Sequence, residues 1–483
     1  MRRRDCDRVA DPHCGRRKAG RQACRRQPRC CIGGDPVSNT SILIIADDLS
    51  GAADCAIAFA GAGRSTAVTL NASRAMGAAE VIAVDTDSRR MSPAEAAHCT
   101  RAAWLVQRAP GRRLYKKIDS TLRGNWATEV AALQPLAGLA IVATAFPATG
   151  RTVREGRVFV RGVPLENTET WKLEHAARSA DLNAMVEAVG LRTAPLGVDA
   201  LRGDPAALRD AISVVASSGA QALIVDAETD ADLRALAQAT ASMGKALFWV
   251  GSGGLARELA SLSDLFDVAT EAAQDAPPKS EQQRGAILIL VGSLSAVSEQ
   301  QCAMLRERAC VGELIVPPVV LRAGELHLEW AAWQARVGAH LSEHTDLLVR
   351  IGRDDLFDPA EGAQLSAALA SLVAPFFTHL SGLIATGGET ARAMLGTAGI
   401  DSLQLLSEIE PGVAVGRPHG NPRLTVVTKA GAFGSEHALY GAYLHLRGTP
   451  EFADSESGSA HPGGTTTSSP ARETNQRHSG KTS

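Results

Sequence analysis

Between Lys116 and Asn125 the chain gathers Lys116, Lys117, Asp119, Ser120, Thr121 and Arg123 within ten residues. The segment follows Arg113-Leu114-Tyr115, which reads as the tail of a strand, and Ser120-Thr121 predict the start of a helix, since both are good N-caps. Turns at the carboxyl ends of strands are where open α/β sheets bind ligands. Cations mixed with one acid suit a small, anionic, hydroxylated molecule. A second cluster lies upstream, where the apolar run Ser41–Ala46 ends in Asp47-Asp48 and Ser50-Gly51 lead into an Ala-rich helix ending near Phe59. Adjacent carboxylates are costly to desolvate, so they face a cleft, where one can act as a base and the other can cap the helix or orient a hydroxyl. A third apolar run, from Val81, ends in Asp85-Thr86-Asp87-Ser88-Arg89, with an arginine suited to a carboxylate.

In the elements that carry these clusters, short apolar segments alternate with amphipathic Ala-rich ones from Ser41 to about Leu259. Strands are expected at 139–144, 222–226 and 246–250, with an inserted hairpin between Arg157 and Asn167. The Pro- and Gln-containing stretch 267–284 reads as a linker. Alternation then restarts with strands at 286–291, 314–320, 346–351, 382–386 and 424–429. The expected fold class is α/β: two α/β domains, each with a largely parallel sheet flanked by helices and the active site in the cleft between them. The expected division is a basic leader at 1–40, a first domain at 41–266, a linker at 267–284, a second domain at 285–446 and a polar tail at 447–483.

Composition narrows the function classes. The 483 residues are 45% hydrophobic but only 4% aromatic, which argues against stacking platforms for single-stranded nucleic acid. The formal net charge is −2, and it is uneven. Residues 1–35 hold 11 Lys or Arg against 4 acids, leaving 39 basic and 48 acidic side chains in the rest, so the main body has no electrostatic footprint for nucleic acid. Five of the nine cysteines (Cys6, Cys14, Cys24, Cys30, Cys31) sit in that leader at spacings that match no zinc finger. The leader has no apolar core of a secretory signal, no apolar run reaches membrane-spanning length, and a cytoplasmic location is expected. The leader and tail are expected to be disordered, the leader also fitting a start codon assigned too far upstream.

The phrases ADDLSGA, DTDSR, KKIDSTLRGN and FPATGRTVREG occur in that order, followed by GSGGLA, VGSLS, TGGETA, EIEPGV and KAGAFG. The set resembles the four-carbon acid sugar kinase family, whose members phosphorylate threonate, erythronate or 3-oxo-tetronate at O4, and the resemblance covers residues 41 to 445. Ser50 stands where the family often has Thr, and Ala430 where Ser is frequent. The resemblance implies ATP and Mg²⁺ as cofactors and a sugar-acid substrate as partner. It leaves a homodimer open, and neither nucleic acid nor membrane is expected as a partner. It also implies that Ser293, Ser295, Gly387, Gly388, Glu389, Thr390 and Gly431 contact the nucleotide. A strand followed by Gly387-Gly388 and a helix is independently a sound anion-binding design. Ser252, in Gly251-Ser252-Gly253-Gly254, either touches nucleotide or caps a helix. No residues are assigned to metal, and Gly480-Lys481-Thr482 is rejected as a phosphate loop because it lacks the earlier glycine and a following helix.

Within this scheme the substrate side comprises Asp47, Asp48, Arg89, Lys116, Lys117, Asp119, Ser120 and Arg123. Arg89 and Lys117 are expected to bind the acid's carboxylate, and Asp47 and Asp119 are the candidate catalytic bases. Arg123 and Arg151 either neutralise the transferring phosphoryl group or pair with acids at the domain interface. Two rival readings are an aspartyl-phosphate phosphatase built on Asp85-Thr86-Asp87 and a non-catalytic sensor of sugar acids.

Overall fold

The computed structural model describes residues 40–448, apart from 78, 175–178, 245–246, 267–284, 357, 359–360 and 432. The expected linker, all but Thr40 of the leader and all but two residues of the tail therefore lie outside the described residues.

Most of the short apolar runs read from the sequence become strands. In the amino-terminal half these are β1 (Ser41–Ala46), β2 (Thr66–Thr69), β3 (Val81–Asp85), β4 (Arg112–Lys117), β5 (Leu139–Ala143), β6 (Arg151–Arg154), β7 (Arg157–Val160), β8 (Val163–Pro164), β9 (Thr193–Leu196), β10 (Ala222–Val225) and β11 (Leu247–Gly251). The carboxy-terminal half adds β12 (Ala286–Val291), β13 (Gly312–Val316), β14 (Leu347–Ile351), β15 (Leu380–Thr386), β16 (Ser402–Glu410), β17 (Val413–Pro418) and β18 (Thr425–Lys429). The order β2-β3-β1-β4-β11-β5-β10-β9 is parallel throughout, as is β13-β14-β12-β15-β18. Strands such as β1, β3 and β12 are buried along nearly their whole length, as expected of parallel strands covered on both faces.

The two parallel arrays belong to one 15-stranded sheet. The antiparallel hairpin β16–β17 joins them: β17 pairs with β18, and β16 pairs with β2 through Ser402↔Thr69, Leu403↔Val68 and Gln404↔Ala67. Three antiparallel steps reverse the strand direction, so the arrays run opposite ways across the seam. The register of β16 against β17 shifts twice, between Leu405 and Ser407 and between Glu408 and Glu410. Such bulges bend and twist a strand, and here they lie in the hairpin between two sets of strand ends that nonetheless meet.

Helix Leu49–Gly61 is the element common to both halves. It packs on β16, on helix Gly253–Ala260 and on helix Gly388–Thr397. Its sequence, LSGAADCAIAFAG, is apolar on nearly every face, the signature of a helix enclosed on all sides. Asp48 caps it by accepting a hydrogen bond from Gly51 N at 3.2 Å.

Some local expectations change. Helix formation after β4 begins at Trp126, five residues beyond Thr121. Residues 118–125 instead form a loop in which Asp119 accepts from Thr121 N and Oγ1, and Leu122 takes φ 59°. The local carboxylate-to-backbone bond competes with helix and fixes a turn. The strand expected over 314–320 stops at Val316, because Pro317-Pro318 cannot extend the ladder and open a helix at Pro318 instead. The hairpin at 157–167 is a separate three-stranded sheet, β6-β7-β8.

Candidate functional site

The ends of β1, β3, β4 and β11 converge on one cleft. Asp48, Ser50, Gly51 and Asp54 from the start of helix Leu49–Gly61 line it with Arg89, Lys117, Asp119, Ser120 and Arg123. Phe146, Ser252 and Gly253 close the same wall, while Gly412, Ala430 and Phe433 come from the other half of the sheet. The two halves touch at the cleft edge: a β-carbon built on Gly388 would lie 3.1 Å from Ser50 Oγ and 3.3 Å from Asp48 Oδ2.

Arg89 organises the acids. It donates to Asp47 through Nε (2.8 Å) and Nη2 (3.0 Å) and to Asp48 Oδ1 (2.7 Å), with Asp119 Oδ2 at 3.8 Å. Burial alone would raise the Asp47 carboxyl, but Arg89, reinforced by Lys116 and Lys117, overrides it and holds Asp47 below its ordinary value. Asp119 is likewise opposed by burial, yet Arg123 (2.6 Å), Arg89 and Lys117 hold it well below the carboxylate range. Both expected bases are thus carboxylates already engaged by guanidinium groups. Lys117 stays charged: burial works against the ammonium, but the carboxylates of Asp48, Asp119 and Asp54 around it raise it above its usual value.

Lys116 is not part of the cleft. Successive side chains of β4 point to opposite faces, and Lys116 is fully buried on the other one, paired at 2.9 Å with Glu129 of helix Trp126–Ala137. Ser88 and Thr100 also donate to Glu129, which completes an enclosed polar knot. Ser252 caps helix Gly253–Ala260, with Oγ accepting from Gly254 N and donating to Ala145 O, so it sits in the wall of the amino-terminal half.

The residues expected at the nucleotide form a second group. Ser293 and Ser295 are hydrogen-bonded to each other at 3.1 Å, and Ser295 and Ser298 both donate to Gly431 O. A β-carbon on Gly431 would lie 2.8 Å from Ser293 Oγ and 4.0 Å from Gly387 Cα, so the three turns are adjacent. Gly387 has φ 101°, a conformation that favours glycine, and helix Gly388–Thr397 begins directly after it. Thr390 Oγ1 is buried against Ser366 (3.1 Å) and supports the turn from within, while Glu389 pairs with Arg90 across the halves at 2.8 Å. Lys429 Nζ donates to the carbonyls of Ala430 (2.9 Å), Gly431 (3.2 Å) and Phe433 (3.1 Å), which shapes the loop after β18.

Sequence reasoning assigned no role to Asp54, Phe146, Glu408 or Arg257. Arg257 makes a two-pronged bond to Glu408 of β16 (2.9 and 2.7 Å) and lies 3.5 Å from Asp54. Asp54 did leave a signal, being the sole charged residue of helix Leu49–Gly61. The Asp85-Thr86-Asp87 unit is occupied otherwise than a phosphatase needs: Asp85 is fully buried against Arg392, which also meets Asp87 at 2.9 Å. Arg151 stacks over the Phe433 ring at 5.5 Å, again across the halves.

Comparisons with known proteins bear on this arrangement. A profile described as sugar-binding N-terminal domain matches residues 42–259, and one described as nucleotide-binding C-terminal domain matches residues 288–439. This chain belongs to the four-carbon acid sugar kinase family. It is 54% identical over 409 residues to a D-threonate kinase of Cupriavidus necator, covering 83% of this chain and 97% of that protein. It is 34% identical over 424 residues to a D-threonate kinase of Bordetella bronchiseptica (84% and 97% covered), and 28% identical over 443 to a D-erythronate kinase of Heliobacterium modesticaldum (83% and 95%). A solved Salmonella typhimurium structure, titled a putative tRNA synthase, shares the fold with a TM-score of 0.69 at 24% identity, covering 83% of this chain and 98% of that one. As a member of the kinase family the protein is a phosphotransferase with an alcohol group as acceptor. Among the described residues, no helix is long and apolar enough to cross a membrane.

Proposed function

We propose that the protein is an ATP- and Mg²⁺-dependent kinase that phosphorylates a four-carbon sugar acid at O4, with D-threonate the acceptor of first choice. Residues 41–266 bind the acid and residues 285–446 bind the nucleotide, in a cytoplasmic setting. The observation that carries this reading is the cleft in which acids and cations from one half meet Gly412, Ala430 and Phe433 of the other, with the Gly387-Gly388 turn at its edge beside Ser50 and Asp48. The acceptor preference rests on the two relatives named D-threonate kinase, both more similar to this chain than the erythronate relative.

The residues present fit a triphosphate. Gly387 and Gly431 offer close approach, the helix after Gly387 supplies backbone N–H groups, and Thr386 Oγ1 and Ser50 Oγ are buried hydroxyls that accept or donate no hydrogen bond among the described residues. Ser293, Ser295, Gly387, Gly388 and Gly431 would hold the phosphates. Magnesium takes most of its ligands from phosphate oxygens and water at such sites. ATP supplies the transferable phosphoryl group.

The chain's own residues bind and orient. Lys117 offers a charged ammonium to the acid's carboxylate. Arg89, fixed by Asp47 and Asp48, adds positive potential from the neighbouring strand end. Ser120 lines the cleft as a hydroxyl partner, and Arg123, paired with Asp119 in the same lining, would neutralise charge that develops during transfer. Phosphoryl transfer needs mainly this positioning and charge neutralisation. A coupled ADP-release assay over threonate, erythronate and 3-oxo-tetronate isomers is expected to give the highest kcat/KM with D-threonate. Turnover of none of them with MgATP would refute the reading.

A further inference from the structure

Asp54 is a cleft carboxylate that the scheme above leaves unused. It projects from the second turn of helix Leu49–Gly61, beyond Ser50 and Gly51, and the helix around it is otherwise apolar. Its Oδ1 is buried and accepts no hydrogen bond from a described residue, with Arg257 Nη2 standing off at 3.5 Å. Gly253 lets the carboxylate and the Phe146 ring pack directly on the backbone of the cleft wall: a β-carbon there would fall 2.5 Å from Asp54 Oδ2 and 2.8 Å from the Phe146 ring. By contrast, Asp47 and Asp119 are each gripped at hydrogen-bonding distance by an arginine.

We propose that Asp54 is the general base of the transfer, while Asp47 and Asp119 serve to position Arg89 and Arg123. The assignment rests on the kinase reading and names the residue that would receive the proton. As the acceptor oxygen bonds to the terminal phosphorus of the nucleoside triphosphate, its proton passes to Asp54 Oδ1. The bond from that phosphorus to the bridging oxygen breaks, its electron pair leaving with the diphosphate, and Asp54 later returns the proton to water. A base works best when its own affinity for protons is not suppressed. Burial, with Glu408 and Asp48, pushes Asp54 above the ordinary aspartate value against the pull of Lys117 and Arg257. These groups and the neutral Cys55 thiol are the titratable neighbours that face it from β4, β16, helix Gly253–Ala260 and its own helix.

The test compares wild type with Asp54→Asn, which keeps the shape of the side chain. Expected for the variant are an unchanged melting temperature, a D-threonate Kd by calorimetry without nucleotide within about threefold, and a kcat reduced about a hundredfold or more. The acid limb of the wild-type kcat profile disappears from the residual activity. Independently of turnover, carboxyl NMR of the substrate-free wild type should show an aspartate titrating above the ordinary value that the substitution removes. A kcat within about threefold of wild type, a parallel loss of threonate binding, or an Asp54 resonance titrating at or below the ordinary value would overturn the assignment while leaving the kinase reading intact. Wild type inactive on every four-carbon acid would instead remove the kinase reading, and the base with it. A variant that fails to fold leaves the NMR titration of wild type to decide.

Discussion

Because side chains alternate along β4, Lys116 and Lys117 do different work although they are adjacent in sequence. Lys116 is half of an enclosed pair with Glu129, and removing one partner of such a pair leaves an uncompensated buried charge, costing about 3–5 kcal/mol. Lys116→Met is therefore expected to lower the urea midpoint sharply, with kcat per folded molecule nearly unchanged, and the double replacement Lys116→Met with Glu129→Leu to recover much of the loss. Lys117→Met should act on the site itself, raising KM for the acid at least tenfold, with a stability cost of its own because Asp48, Asp54 and Asp119 lose a buried cation. Since Lys117 pulls the Asp54 carboxyl downward, its loss should also move the acid limb of the kcat profile to higher pH, because a carboxyl harder to ionise needs a less acidic medium to act as a base. The sequence displayed this cluster clearly, since apolar runs that end in polar residues mark strand ends. It did not disclose which face each lysine takes, because that depends on where pairing with β1 and β11 places the strand. Nor did it reveal that Asp47 and Asp119 would be engaged by arginines brought from other strand ends and loops.

At the scale of elements, the hairpin β16–β17 was the part least legible in the sequence. Two bulges break the two-residue alternation of Ser402–Glu410, leaving Leu406 and Ile409 out of the pairing, so no strand period survives to be read. The bulges flank Glu408, which reaches Arg257 in a contact 151 residues apart that no local pattern encodes. The glycine turns were easier to read, because a strand, a glycine pair and a helix follow one another directly. What was hidden is the internal support of the last turn. Burial pushes the Lys429 ammonium down to about 8, against Glu410, yet it remains the donor to three loop carbonyls. Lys429→Met is expected to loosen that loop and raise KM for ATP about tenfold or more, with the calorimetric Kd for D-threonate unaffected.

For the whole molecule, the continuous sheet and the ion pairs across it predict that both halves unfold together in one denaturant transition. Asp85 adds a pH dependence to that cohesion. Burial, opposed by Arg392, raises its carboxyl to about 7 from an ordinary 3.8. The folded state thus binds a proton more tightly than the unfolded chain, and the contribution is complete below about pH 4 and lost as pH rises through about 7. Relative to Asp85→Asn, the unfolding free energy of wild type should fall between those limits, as urea titrations at stepped pH would show. The alternation of short strands and helices made the α/β class and the two parallel arrays legible. Their union into one ladder was not, since it depends on a three-residue pairing between β2 and β16 that are more than 300 residues apart.

That shared ladder bears on attempts to recombine this enzyme with its relatives. Glu408 and Gly412 are encoded downstream, yet Glu408 bonds Arg257 beside Asp54 and Gly412 lines the same cleft. A chimera that exchanges only residues 41–266 would carry a foreign seam at Thr66–Thr69 and a mismatched anchor for Arg257. Transplanting acceptor preference between members would require moving the hairpin 402–418 along with the upstream segment.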